Sequence, residues 1–158
     1  MLKENLENIR TLIASAAKRA RRDQSQIMLV AVTKEADESL IKEAIGLGLG
    51  DFGENRVQDA LKKRDLFNQS GINLHFIGHL QTNKVNIAVK LFKLMHSVDS
   101  KRIIEAINKE SLKIGKIQDV LVEINTSGEI SKFGLKAKDA EDFLNSISTL
   151  EALASGLT

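Results

Sequence analysis

Ile27-Met28-Leu29-Val30-Ala31-Val32-Thr33-Lys34 is the stretch on which the reading of this chain turns. Seven uncharged residues, several of them β-branched, end abruptly on an amine. That is how a strand buried on both faces reads when its last residue reaches the rim of a sheet. Lys34 is thereby placed at a strand end. Where apolar walls desolvate a lysine ammonium it loses proton affinity, and the free amine can attack a carbonyl to give a Schiff base. Strands also end on lysine simply because the chain is leaving the core for water, and this is the commoner case.

Outward from that stretch, strand and helix signals alternate. Leu2, Leu6, Ile9, Leu12, Ile13, Ala16, Ala17 and Ala20 recur at helical spacing and predict one long amphipathic helix before the strand. After it, Leu40, Ile41, Ala44 and Ile45 mark a second helix, and glycines 46, 48 and 50 let the chain reverse. Further strands are predicted at 51–53, 72–78, 94–98, 117–124 and 150–157. Helices carrying Val57 and Ala60, Val85 and Val89, Ile103 and Ile107, and residues 138–147 lie between them, with Ser100 placed to cap the third of these. Such alternation argues for a parallel sheet with right-handed crossovers. Periodicity leaves open whether the sheet is doubly wound or a closed barrel. A complete barrel typically needs about 250 residues, so six strands in 158 residues would make an incomplete one.

Composition narrows the class. Hydrophobic content of 42% and charged content of 28% describe one globular domain, residues 1–158, with no sign of disorder. The net charge of +2 is small. Its one concentration, Lys18, Arg19, Arg21 and Arg22, reads as a solvated helix end and not as a nucleic-acid patch. The sequence holds no cysteine, which excludes a disulfide framework and a thiolate metal site. No apolar run approaches a bilayer span and the N-terminus does not read as a signal peptide, so a cytoplasmic setting without membrane contact is expected. Trp, Tyr and Pro are also absent.

Gly48-Leu-Gly50-Asp-Phe-Gly53 spells the dinucleotide fingerprint, but the fingerprint must follow a strand and open a helix. Here the glycines close a helix and precede a strand, so the match is rejected. Gly53-Glu54-Asn55-Arg56 falls where a strand hands over to a helix, and Asn55 there could hydrogen-bond a ligand or serve as an ordinary cap. His75 and His79 lack a carboxylate at ligand spacing and read as satisfied histidines more readily than as metal ligands. Ser127 to Gly134 is a polar loop after a strand. Lys34, Asn55, His79, Ser97 with Asp99, and Asn125 to Lys132 all follow strands, and would gather at the C-terminal face of a parallel sheet, where α/β folds place their sites.

The same residues carry a resemblance. Ala31-Val-Thr-Lys34, Phe52-Gly-Glu-Asn-Arg-Val-Gln58, His75-Phe-Ile-Gly-His-Leu-Gln-Thr-Asn-Lys84, His96-Ser-Val-Asp-Ser100 and the loop Asn125-Thr-Ser-Gly-Glu129 with Ser131-Lys132 resemble, in order, the signatures of the pyridoxal phosphate homeostasis proteins, also called the proline synthase co-transcribed family. The resemblance implies an α/β fold, a parallel (β/α) barrel of TIM type like the N-terminal domain of alanine racemase, incomplete here. It implies pyridoxal 5'-phosphate held as a Schiff base on Lys34, with Asn55 and His79 in the cofactor pocket and Lys132 assisting cofactor exchange. Carriage or regulation of the cofactor without turnover follows from it, with apo pyridoxal-phosphate enzymes as recipients. Ala36 and Asp37 depart from the family's usual second lysine and proline. Family chains also run on past the equivalent of residue 158, so a shortened chain lacking its phosphate-holding segments is expected. Two alternatives stand beside this reading. A racemase would need a tyrosine as second base, which the sequence lacks; an interaction module would use the basic first helix and bind in a strongly salt-dependent way.

Overall fold

Only Ala31 and Val32 of the opening stretch pair as a strand. The structure is a computed structural model that describes residues 1–129 and 131–154, with side chains through residue 147. This strand, β1 (Ala31–Val32), follows the first helix, α1 (Leu2–Arg19), and lies at the edge of a five-stranded sheet, bonded among the described residues only to β2 (Asp51–Glu54). The expectation of burial on both faces is therefore corrected. With one neighbour and an uncovered inner face, Val32 is 53% exposed and Met28 59%.

The remaining elements run α2 (Glu38–Gly46), α3 (Val57–Lys62), α4 (Arg64–Phe67), β3 (Asn73–Phe76), α5 (Val85–Leu91), β4 (Leu94–Val98), α6 (Lys101–Lys113), β5 (Asp119–Val122), β6 (Ile124–Asn125), β7 (Leu135–Lys136) and α7 (Ala140–Ala154). Strand order is β1-β2-β3-β4-β5, all parallel, each strand beside its predecessor; β6 and β7 form a separate parallel pair. A doubly wound sheet reverses its strand order at a switch point, and this one does not. Crossovers that all advance in one direction place every helix on one face, which is the winding of a TIM-type barrel. The sixth strand expected over residues 150–157 is corrected: α7 continues through Ala154, and residues 155–158 lie outside the described residues.

A single core confirms the one-sided layering. Phe52, Leu74, Phe76, Met95 and Val98 of the strands pack with Ile41, Ala60, Ala88, Val89, Ile103 and Ile107 of the helices. Phe76 meets Phe92 with ring centroids 5.1 Å apart. A bulge in β4 puts both Met95 and Val98 on this face, since Met95 pairs with Val120 and Val98 with Val122. α1 is held less fully than its stripe implies: Leu6 and Ala17 are buried, while Ile9 and Leu12 are exposed. Arg10 tethers it by donating to the carbonyls of Leu47 and Gly48.

Local signals account for the helix ends. The Asp37 carboxylate accepts the Leu40 N–H at 2.8 Å and the Ser39 hydroxyl at 2.7 Å, and these bonds, the Leu40 one foremost, hold it below the ordinary carboxylate range. Gly48, at φ +78°, terminates α2 in a left-handed turn, which explains the glycines of the rejected fingerprint. Ser100 occupies the N-cap of α6 as expected, but its hydroxyl makes no capping bond. Among the described residues, no helix is long and apolar enough to cross a membrane.

Candidate functional site

Side chains alternate across a strand, so the face opposite the helices takes Val30, Val32 and then Lys34 from the first strand, and Asp51, Gly53 and Asn55 from the second. Val32 pairs with Gly53, and the next ladder bond runs from Thr33 N–H to the Gly53 carbonyl at 3.0 Å. Two residues on from that pair, Lys34 falls level with Asn55 at the C-terminal rim. Lys34 is exposed, so the apolar shelter foreseen for its amine is corrected: the inner face beside an edge strand is open.

Gly78 locks the second strand end to the third. A Cβ on Gly78 would lie 2.1 Å from the Asn55 carbonyl oxygen, so the two backbones touch there and only glycine fits. The Ser97 hydroxyl closes the next gap by donating to the Gly78 carbonyl. Asn55 and His79 then line one cleft of about 420 Å³ together with Arg56, Gln81 and Lys84. His79 Nδ1 stands 3.6 Å from Asp99 Oδ2, and its ring stacks on Phe133, centroids 4.2 Å apart and 13° from parallel. Phe133 brings the loop between β6 and β7 over this rim, and Lys132 beside it pairs with Glu129 at 2.6 Å. The four expected residues thus share one end of the sheet. Stacked rings are worth about 0.5–1.5 kcal/mol. Phe133→Ala is accordingly expected to make residues 131–134 more susceptible to limited proteolysis, and cleavage no faster than in the unsubstituted chain would contradict an anchoring role for the stacked ring.

A second polar layer lies deeper on the same face. Asp51 Oδ1 accepts from Asn73 Nδ2 at 2.9 Å and stands 3.1 Å from His75 Nε2, while His75 Nδ1 stands 3.0 Å from His96 Nε2. Because the carboxylate accepts, His75 carries its hydrogen on Nε2, and its Nδ1 accepts from His96. His75 is thus satisfied at both ring nitrogens. Burial, and then the neighbouring His75, hold the His96 imidazole below its ordinary 6.5. The unfolded chain therefore takes up that proton first as the medium acidifies below 6.5, and stability is lost in that direction. The urea midpoint is expected to be lower at about pH 5 than near neutrality, with a shallower decline in His96→Gln; equal slopes would contradict the assignment.

Lys63 carries no signal in the sequence that marks it out. It sits at the joint of α3 and α4, donates to the Thr33 carbonyl at 2.6 Å and pairs with the fully buried Glu54 at 2.8 Å. Nothing in local spacing marks it, because its partners are 9 and 30 residues away.

Comparison with known proteins agrees with this fold. Residues 4–157 match the family model described as alanine racemase, N-terminal domain. The chain is similar to the pyridoxal phosphate homeostasis protein of Aquifex aeolicus (strain VF5), 36% identical over 139 residues that cover 88% of this chain and 61% of the relative. That of Pasteurella multocida (strain Pm70) is 35% identical over 154 residues, 96% of this chain and 66% of the relative. The chain therefore spans somewhat less than two thirds of the length of these relatives. Among solved structures, PipY of Synechococcus elongatus PCC7942 with PLP bound is similar at a TM-score of 0.69 and 30% identity, covering 86% of this chain and 64% of that one. Alanine racemase of Clostridium difficile 630 shares the fold, at a TM-score of 0.62 and 15% identity over 75% of this chain and 32% of that one.

Proposed function

From the premise that the chain belongs to the alanine racemase N-terminal domain family, we propose that it binds pyridoxal 5'-phosphate through the Lys34 amine and serves cofactor homeostasis as a carrier or regulator, without turnover. One observation supports this above the others: the strand register brings Lys34 level with Asn55 at the C-terminal rim, and Asn55 lines a polar cleft with His79. Among the described residues its amine has no hydrogen-bond or ion-pair partner, whereas the nearby Lys63 amine makes two hydrogen bonds. An accessible primary amine is what an aldehyde requires, so the residues present fit that end of the cofactor. Bound there, the cofactor supplies an electrophilic carbonyl conjugated to an electron-withdrawing ring.

The protein's own groups would do the rest. Asn55 offers an amide donor and acceptor, His79 a ring held between Asp99 and Phe133, and Lys132 a cation on the loop that Phe133 anchors. Residues 1–158 form a single cofactor-binding domain, an incomplete barrel cut short at its C-terminal end, working in the cytoplasm and passing the cofactor to apo enzymes. The absence of turnover is supported by the names of the curated relatives, which are homeostasis proteins.

The reading is tested by titrating pyridoxal phosphate against the chain and following the cofactor's own absorption, which no Trp or Tyr obscures. One saturating equivalent is expected. Asn55→Ala should weaken it by roughly tenfold, the worth of one good hydrogen bond. Lys132→Ala should change the rate of cofactor exchange more than the affinity. A response that stays linear in cofactor and is equal in all variants would sink the proposal.

A further inference from the structure

On the helix side of the sheet, a closed ring of polar groups surrounds the residue that precedes Lys34. Lys63 Nζ donates to the Thr33 carbonyl at 2.6 Å and to Glu54 Oε1 at 2.8 Å, and the same Oε1 accepts the Thr33 hydroxyl at 2.8 Å. Thr33 is thus gripped at both its carbonyl and its side chain. Thr33 and Glu54 are buried, and Glu54 Oε2 is buried without a partner among the described residues.

Stability alone gives little reason for this arrangement. A buried ion pair is often replaceable by apolar residues of similar volume at no cost, and an unpartnered buried oxygen is a penalty. What the ring supplies is direction. β1 is an edge strand whose last ladder bond is made by the Thr33 N–H, so the sheet exerts no further hold on Lys34. The Thr33 carbonyl also accepts the Ala36 N–H at 3.1 Å, closing the turn that contains Lys34. Fixing that oxygen fixes the plane of the Thr33–Lys34 peptide, and with it the course of the turn.

We infer that Lys63 is a positioning residue for Lys34: with Glu54 as its counter-charge, it clamps the Thr33 carbonyl so that Lys34 leaves the edge strand level with Asn55 on the open face. The inference rests on the reading of Lys34 as the cofactor lysine and deepens it, because a carrier whose amine sits on an unsupported turn needs that turn held from behind. Lys63 bonds Thr33 and Glu54 on the helix side, away from the open face, and acts through Thr33.

The test compares the unsubstituted chain with Lys63→Met, Lys63→Arg and the double variant Glu54→Leu/Lys63→Met. Two readouts are taken: amide hydrogen exchange of residues 33–37 in the cofactor-free chain, and the yield of borohydride-trapped pyridoxal phosphate on Lys34. Lys63→Met is expected to speed exchange of that segment by about tenfold and to cut the Lys34 label severalfold, with label on other lysines unchanged. Lys63→Arg, which keeps the donor and the charge, should recover part of both. The single Met variant strands a buried carboxylate and can fail to fold, so the double variant carries the decision: it should regain the unfolding midpoint but neither the slow exchange nor the label. If the double variant protects and labels Lys34 as the unsubstituted chain does, the ring is structural only and the inference is overturned. If the unsubstituted chain shows no label on Lys34, the cofactor reading falls, while the exchange comparison still decides the positioning role.

Discussion

Gly78→Ala is expected to cost on the order of 4 kcal/mol of folding stability, an unusually large effect for one methyl group. The added Cβ would sit 2.1 Å from the Asn55 oxygen and 2.8 Å from its Cα and carbonyl carbon. All three are backbone atoms that cannot swing aside. The third strand end cannot retreat either, since Ile77 N–H donates to the Glu54 carbonyl at 3.0 Å and the Gly78 carbonyl accepts from Ser97. One of the two strand ends must therefore move, and with it Asn55 and the cleft it lines. Urea denaturation measures the loss; a change below about 1 kcal/mol would mean that the backbones are free to separate.

Lys34→Ala is expected to behave in the opposite way. Its side chain is exposed and has no hydrogen-bond or ion-pair partner among the described residues, so folding stability should change by no more than about 0.5 kcal/mol. Binding of pyridoxal phosphate should fall by well over tenfold, because removing the amine removes the covalent link itself. A residue that matters little to the fold and decisively to the ligand separates function from packing. A variant that loses stability and binding together would instead assign Lys34 a structural part.

Much of this was legible in the chain because local chemistry wrote it there. The 3.6-residue spacing of Ile103, Ala106 and Ile107 gave α6, and the Gly48 turn betrayed itself by lying after a helix instead of before one. The polar clusters were placed at one rim by counting strands alone, and Lys34, Asn55, His79 and Lys132 do stand at that rim. What was misread depended on neighbours far along the chain. Val32 looks like a fully buried strand residue, yet among the described residues β1 has a partner on one side only. Lys63 is indistinguishable from its neighbours Lys62 and Arg64 until the fold carries it to Thr33 and Glu54. The break between α3 and α4 at that residue interrupts what periodicity reads as one helix. The choice between barrel and doubly wound sheet was likewise settled by strand order, which no local pattern encodes.

The most direct measurement is chemical. The chain is mixed with pyridoxal phosphate, reduced with borohydride and digested, and the modified lysine is located by mass. A single dominant label on Lys34 near one equivalent, absent from Lys34→Ala, is the expected result. Label scattered over Lys62, Lys90, Lys109 and the other surface amines, undiminished when Lys34 is replaced, would contradict the assignment of this rim as the cofactor site.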